Sequence, residues 1–272
     1  MKGDGRMFEK LFRGRKPVIG MVHLRALPGS PANKDCFQEI LEGALSDADA
    51  LYEGGVDGIQ IENQFDKPFL KQEQIGPETV AYLTAAGCAV KQRYPDFPLG
   101  INIHMNGGIQ ALAAAAACGA DWIRVFNLAN GYISNSGYID ALGPSLLRYR
   151  ESIHAKHIMI FGDFQVKHGS HAITADRSIE EKAQDIEVSM ADAAIITGDA
   201  TGRAPSAESI ELVKNKISIP LLIGSGLNAE NAGELWAKVD GAVIGSGFKK
   251  GADLRAPVDK ELVRKFMDTV RG

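Results

Sequence analysis

The stretch Val239-Asp240-Gly241-Ala242-Val243-Ile244-Gly245-Ser246-Gly247 decides the fold. An Asp-containing turn leads into a short apolar run and a glycine turn closes it, the pattern of a strand buried on both faces. The same entrance recurs at Val56-Asp57-Gly58, Ala120-Asp121-Trp122 and Ala191-Asp192-Ala193, ahead of the second, fourth and sixth of eight apolar runs. Recurrence at every other strand predicts a chain built of two-strand units, and four such units make a (β/α)8 barrel rather than an open doubly wound sheet. Asp after a helix end is also ordinary turn chemistry.

Outward from that stretch, strands are predicted at Val18–Val22, Gly58–Glu62, Leu99–His104, Trp122–Phe126, Ile158–Asp163, Ala194–Thr197, Leu221–Ile223 and Ala242–Ile244. Helical spacing of apolar residues falls between them, at about 38–54, 76–94, 108–119, 145–155, 178–191, 206–216, 228–237 and 258–270. Apolar strands alternating with helices give a parallel sheet covered by helices. The 272 residues contain no linker or low-complexity tract, which predicts a single barrel domain over 17–272 behind a basic helical leader over 1–16.

Composition narrows the function classes. With 45% hydrophobic and 24% charged residues the chain is that of a globular protein. The 30 basic and 34 acidic residues leave a net charge of −4, which argues against nucleic-acid binding. Cys36, Cys88 and Cys118 are odd in number and widely spaced, so a disulfide framework is excluded, each is expected as a small buried hydrophobe, and a reducing cytoplasm fits. The N-terminus lacks the apolar stretch of a signal peptide. The weakly polar run Ile109–Ile123 is too short and too interrupted to span a bilayer. Met7–Phe12 with its basic neighbours is expected to plug the fold, with peripheral contact to an anionic membrane surface as the alternative. A homo-oligomer of unspecified order is expected.

Barrel enzymes work at the C-terminal ends of their strands. Two long connections there, Leu24 to Cys36 and Asn127 to Pro144, are candidate lids. Gly224-Ser225-Gly226 follows the seventh strand and Gly245-Ser246-Gly247 the eighth, the usual place for a phosphate in this architecture, where glycines let peptide N–H groups approach an anion. By period-two alternation Gln60 and Glu62 share a face of strand two, and Asn102 and His104 a face of strand three. These side chains either meet a ligand or satisfy one another. Arg124 and Asn127 could reach a phosphate or carboxylate, although Arg124 could instead pair with Glu62 inside the barrel. The fifth strand ends in Asp163, with Lys167 and His168 just beyond, and Lys167 is a candidate base or clamp if burial lowers its pKa. After the sixth strand, Asp199 in Thr197-Gly198-Asp199-Ala200-Thr201-Gly202 is the carboxylate suited to acid–base work or to a divalent ion. His23 at the end of the first strand is a rim imidazole of the kind used for proton transfer. His154, His157, His168 and His171 match no metal-binding spacing. Neither a nicotinamide nor a flavin is expected, and a divalent metal such as Mg2+ stays open.

Several stretches carry a family likeness: His23-Leu24-Arg25-Ala26-Leu27-Pro28-Gly29-Ser30-Pro31, Gly119-Ala120-Asp121-Trp122-Ile123-Arg124-Val125, Leu146-Leu147-Arg148-Tyr149-Arg150, Val166-Lys167-His168, Thr201-Gly202 and Pro257-Val258-Asp259. Together they resemble the BtpA/SgcQ family from Lys16 onward. The resemblance implies a TIM-type barrel of the ribulose-phosphate-binding kind, a name inherited from photosystem I biogenesis, and shared rim positions at His23, Asn102, Arg124, Lys167, His168, Thr201 and Gly202. The chain departs from the family where His104-Met105-Asn106-Gly107 replaces a tendency toward Leu-Arg-Asn-Asp, which bears on whether the substrate is shared. Two functions are expected to compete. One is an enzyme of isomerase, lyase or hydrolase type on a phosphorylated sugar or nucleoside, with Asp199, Lys167, His23, Glu62 and His104 as catalytic candidates. The other is a non-catalytic factor assisting a membrane complex.

Overall fold

A computed structural model of the chain describes residues 5–198 and 204–272. Its strands in chain order are β1 (Val18–His23), β2 (Gly58–Glu62), β3 (Leu99–Asn102), β4 (Trp122–Val125), β5 (Tyr132–Ser134), β6 (Gly137–Ile139), β7 (Met159–Phe164), β8 (Ala193–Ile196), β9 (Leu221–Ile223) and β10 (Gly241–Ile244). β5 and β6 form an antiparallel hairpin; the other eight close as a parallel barrel in the order β1-β2-β3-β4-β7-β8-β9-β10 and back to β1. Helices α1 (Gly5–Leu11), α2 (Phe37–Gly54), α3 (Pro77–Arg93), α4 (Gly108–Cys118), α5 (Gly143–Ser152), α6 (Ile179–Val188), α7 (Ala207–Lys214), α8 (Ala232–Leu235) and α9 (Lys260–Arg271) complete the chain, and all but α1 cover the barrel. None of the described helices is long and apolar enough to cross a membrane.

The repeated Asp has one structural job, performed four times at the N-terminal end of the barrel. A carboxylate oxygen of Asp57 accepts the N–H of Val18, Asp121 that of Leu99, Asp192 that of Ile160 and Asp240 that of Leu221, at 2.8–2.9 Å. Each therefore ties the start of an odd-numbered barrel strand to the next strand. Each is also paired with a basic side chain from the last turn of the helix that precedes the odd strand: Lys91 with Asp121 at 3.0 Å, Arg150 with Asp192 at 3.1 Å, and Lys214 with Asp240. Arg271, in the last turn of α9, closes the circle on Asp57. A cation there also complements the negative end of the helix macrodipole.

Below the mouth the barrel interior is apolar. Ile19, Met21, Trp122, Phe161, Ile195, Leu222 and Val243 fill it. The buried Gln60 is satisfied internally, its Oε1 accepting from the Trp122 indole N–H at 3.1 Å. Gly100 makes room for that indole, since a Cβ there would lie 2.1 Å from it. From below, α1 and the turn after it insert Phe8 and Phe12, each 4% exposed, against Phe161 and Trp122. The apolar face of the leader is thus spent on the barrel floor.

Two expectations change. The segment 228–237 is helical only over Ala232–Leu235 followed by a 3-10 turn, because the side chains of Asn228 and Asn231 hydrogen-bond the backbone of 228–231 and wind it locally. Only Cys118 is buried, with its thiol pKa pushed up to about 11 by that burial; Cys36, which caps α2, and Cys88, on the outer face of α3, are exposed.

Candidate functional site at the C-terminal mouth

The C-terminal ends of the barrel strands open on a cavity of about 790 Å³, within the range of small-molecule sites. β1 and β2 bring His23 and Glu62 to it, each the last residue of its strand. His104 arrives from just beyond β3, which stops at Asn102, two residues earlier than predicted. The His104 N–H donates to Asn63 Oδ1 at 2.8 Å and fixes that turn. Glu62 is buried, with one carboxylate oxygen 3.3 Å from His23 Nε2 and 3.6 Å from His104 Nε2, while its other oxygen accepts from Asn102 Nδ2 at 2.9 Å. Burial opposes ionisation of Glu62, but the two imidazoles, His104 ahead of His23, outweigh it and hold the carboxyl well below the usual range. Asn102 therefore positions Glu62 from behind and does not line the cavity.

Across the mouth, Arg124 at β4 and Asp163 at β7 form a buried bidentate pair, with Nε and Nη2 each 2.7 Å from a carboxylate oxygen. Arg124 thus pairs with Asp163 and not with Glu62. The reason is register: Arg124 lies beside Phe161, two residues below Asp163 on the adjacent strand, whereas Glu62 is two strands away. Nη1 is left outside the pair, and the guanidinium carbon lies 4.9 Å from the Phe126 ring centroid. Lys167 is half-buried beside them. Burial first and the Arg124 charge second lower its pKa, with Asp163 and Glu62 pulling the other way. Among the described residues no hydrogen bond or ion pair holds its amine. His168 lines the exposed edge of the cavity.

Both glycine loops face this cavity. The Gly224 N–H is spent on the carbonyl of Ile196, so this residue contributes room rather than a donor: a Cβ there would lie 2.4 Å from Ile195 and 3.1 Å from Arg124 Nη2. Gly226, at φ +75°, turns the chain as only glycine does freely. A Cβ on Gly245 would lie 3.0 Å from the His23 ring, so the second loop and the imidazole are in close approach. Ser225 and Ser246 line the mouth with them.

Of the other predicted site residues, Asn127 serves the β5–β6 hairpin, its amide donating to the carbonyls of Asn130, Ile139 and Asp140, and it does not line the cavity. Asp199, Thr201 and Gly202 lie outside the described residues. His171 is bound to the Val166 carbonyl at 2.8 Å. No group of three metal-ligating side chains is assembled among the described residues.

The connection 63–76 has no sequence signal of its own, although it is about as long as the candidate lid Leu24–Cys36 and also comes after a strand. It delivers Gln64, Lys67 and Phe69 to the cavity, with the Phe69 ring stacked on His104 at 4.4 Å. The Asn127–Pro144 connection is not an irregular lid but carries the hairpin, and its Ser136 hydroxyl donates to the Phe69 carbonyl at 2.9 Å.

Fold and site define a parallel (β/α)8 barrel with a charged C-terminal mouth. The sequence is more specific: residues 14–272 match the BtpA family, and the chain belongs to it. It is 40% identical to an uncharacterized protein of Archaeoglobus fulgidus, over 94% of this chain and 99% of the relative. It is 38% identical to an uncharacterized mitochondrial protein of Caenorhabditis elegans, over 96% and 95%. It is 35% identical to the photosystem I biogenesis protein BtpA of Synechocystis, over 95% and 89%. Among solved structures, the fold is similar to the alpha subunit of tryptophan synthase from Legionella pneumophila, with a TM-score of 0.60, 14% identity and 97% of both chains covered. It is also similar to thiamine phosphate pyrophosphorylase from Pyrococcus furiosus, with a TM-score of 0.58, 16% identity and 94% and 96% covered.

Proposed function

We propose that this protein is an enzyme acting on a phosphorylated sugar or nucleoside by proton transfer. One observation carries the proposal: the two glycine loops and the His23–Glu62–His104 and Arg124–Asp163–Lys167 groups line a single cavity. The phosphate would rest on the loops at 224–226 and 245–247, with Arg124 and Lys167 supplying positive charge. A barrel of similar fold is a thiamine phosphate pyrophosphorylase, so the architecture accommodates ligands of this kind.

The ionised Glu62 is suited to hold two imidazoles in place. With His23 Nε2 facing the carboxylate, the proton belongs on Nε2 and the lone pair on Nδ1. Among the described residues Nδ1 has no hydrogen-bond partner, which leaves its lone pair free to take a proton. The lowered pKa of Lys167 brings its neutral, basic form closer to physiological pH. Asp199, on the connection after β8, is retained as a further carboxylate for acid–base work.

Thermal unfolding with ribose 5-phosphate, nucleoside monophosphates and inorganic phosphate, with and without Mg2+, tests the reading. A ligand at ~100 times its Kd adds about 2.7 kcal/mol, an upward shift in Tm of several degrees. The shift should be lost in Gly245→Ala, and silence from every compound with a well-folded sample overturns the proposal. The name of the cyanobacterial relative favours a second reading, a surface that assists a membrane complex. In that case cavity substitutions leave the biological role intact and removal of residues 1–16 abolishes it.

A further inference from the structure

We infer that the ligand carries a flat aromatic or heteroaromatic ring as well as a phosphate, as a nucleoside monophosphate does, and that the ring packs on the wall of the mouth opposite the glycine loops. The inference rests on the phosphate reading above and narrows it.

In the closed strand order, β9 stands across the barrel from β3 and β10 across from β4. The glycine loops come after β9 and β10. Beyond β3 and β4 stands an apolar, ring-rich wall. Phe126 and Phe69 both pack on the His104 ring, at 4.6 and 4.4 Å between centroids. Met105, Tyr132, Phe69 and Val166 form one apolar cluster, and all of them line the cavity. The hydroxyls of a bare sugar phosphate turned to the rings and aliphatic side chains of this wall would lose hydrogen bonds to water that those side chains do not replace. A planar ring turns an apolar face to these side chains and gains stacking, and every heterocyclic base has a π face to offer. The cavity, at about 790 Å³, spans both walls, and the carboxamides of Gln64 and Asn135 line it as donors and acceptors for the edge of a heterocycle. Between the two ends lie His23 and Glu62 on one side and Arg124, Asp163 and Lys167 on the other, so the sugar of such a ligand would sit among the titratable groups.

Isothermal titration of the full chain with AMP, UMP and ribose 5-phosphate tests this. At least one nucleotide should bind ten-fold or more tighter than ribose 5-phosphate, the scale of one stacked base. Phe69→Leu, which keeps apolar bulk and removes the ring, should weaken the nucleotide more than ribose 5-phosphate and so narrow that gap, whereas Gly245→Ala should weaken both. Equal affinity for all three compounds, or a gap untouched by Phe69→Leu in a variant that melts like the parent, overturns the ring subsite while the phosphate reading stands. Binding of none of the three removes the phosphate reading and this inference with it.

Discussion

At the N-terminal end of the barrel one device appears four times, an Asp that clamps two strands and pairs with a helix-end cation. At the C-terminal end only the two Gly-Ser-Gly loops repeat, and the charged side chains do not. There His23 and Glu62 end β1 and β2, Arg124 and Asp163 stand one residue before the ends of β4 and β7, and these buried polar and charged groups face a cavity instead of a closed floor. The contrast separates two kinds of ion pair built on the same strands. Those below satisfy strand N–H groups and hold adjacent strands in register, whereas those above leave polar atoms such as His23 Nδ1 without a partner among the described residues. In barrels of this class the lower face serves stability and the upper face chemistry.

The largest effect expected lies in the mouth. Asp163→Leu strands the buried Arg124 charge and should cost about 3–5 kcal/mol, read by denaturant unfolding. The double variant Arg124→Met/Asp163→Leu should recover most of that loss and yet lose binding of phosphorylated ligands. Recovery of binding as well would erase the distinction between the two ends. Next comes Asp192→Ala, which breaks a largely buried clamp and orphans the Ile160 N–H. It should lower stability by about 3 kcal/mol with no change in the affinity of the folded protein.

A smaller effect is expected from Lys167. A bound anion favours the charged amine and so raises a pKa that burial and the Arg124 charge depress; binding takes up a proton, and ribose 5-phosphate affinity should fall as pH rises through the titration of this residue. Lys167→Met should flatten that limb of the pH profile and weaken binding about ten-fold. The smallest effect belongs to Lys214→Met at the lower end. Its pair with Asp240 is partly exposed and the Asp240 bond to the Leu221 N–H remains, so about 1 kcal/mol or less should be lost.

The repeat that marks the lower end is also why the fold was legible in the sequence. Asp57, Asp121, Asp192 and Asp240 sit at equivalent steps, and four such two-strand steps count out the eight strands of a closed barrel. The mouth was legible where it depends on strand ends: His23, Glu62, His104, Arg124, Asp163, Lys167 and both glycine loops do line one cavity. It was not legible where loops return across strands. Phe69 reaches His104 from a connection with no periodic pattern of its own, and Tyr132 enters from a hairpin too short to show alternation. Asn127 was misplaced because its position just past β4 resembles a rim position, while its amide is turned into three carbonyls of its own loop.

Hydrogen–deuterium exchange of the full chain with and without saturating ribose 5-phosphate tests most directly whether the two ends divide the work in this way. Added protection should be confined to the upper loops, at 224–226, 245–247 and 63–70, with the clamped strand starts at Val18, Leu99, Ile160 and Leu221 unchanged. No added protection anywhere, or protection concentrated at the clamped end, would contradict the assignment of binding to the C-terminal mouth.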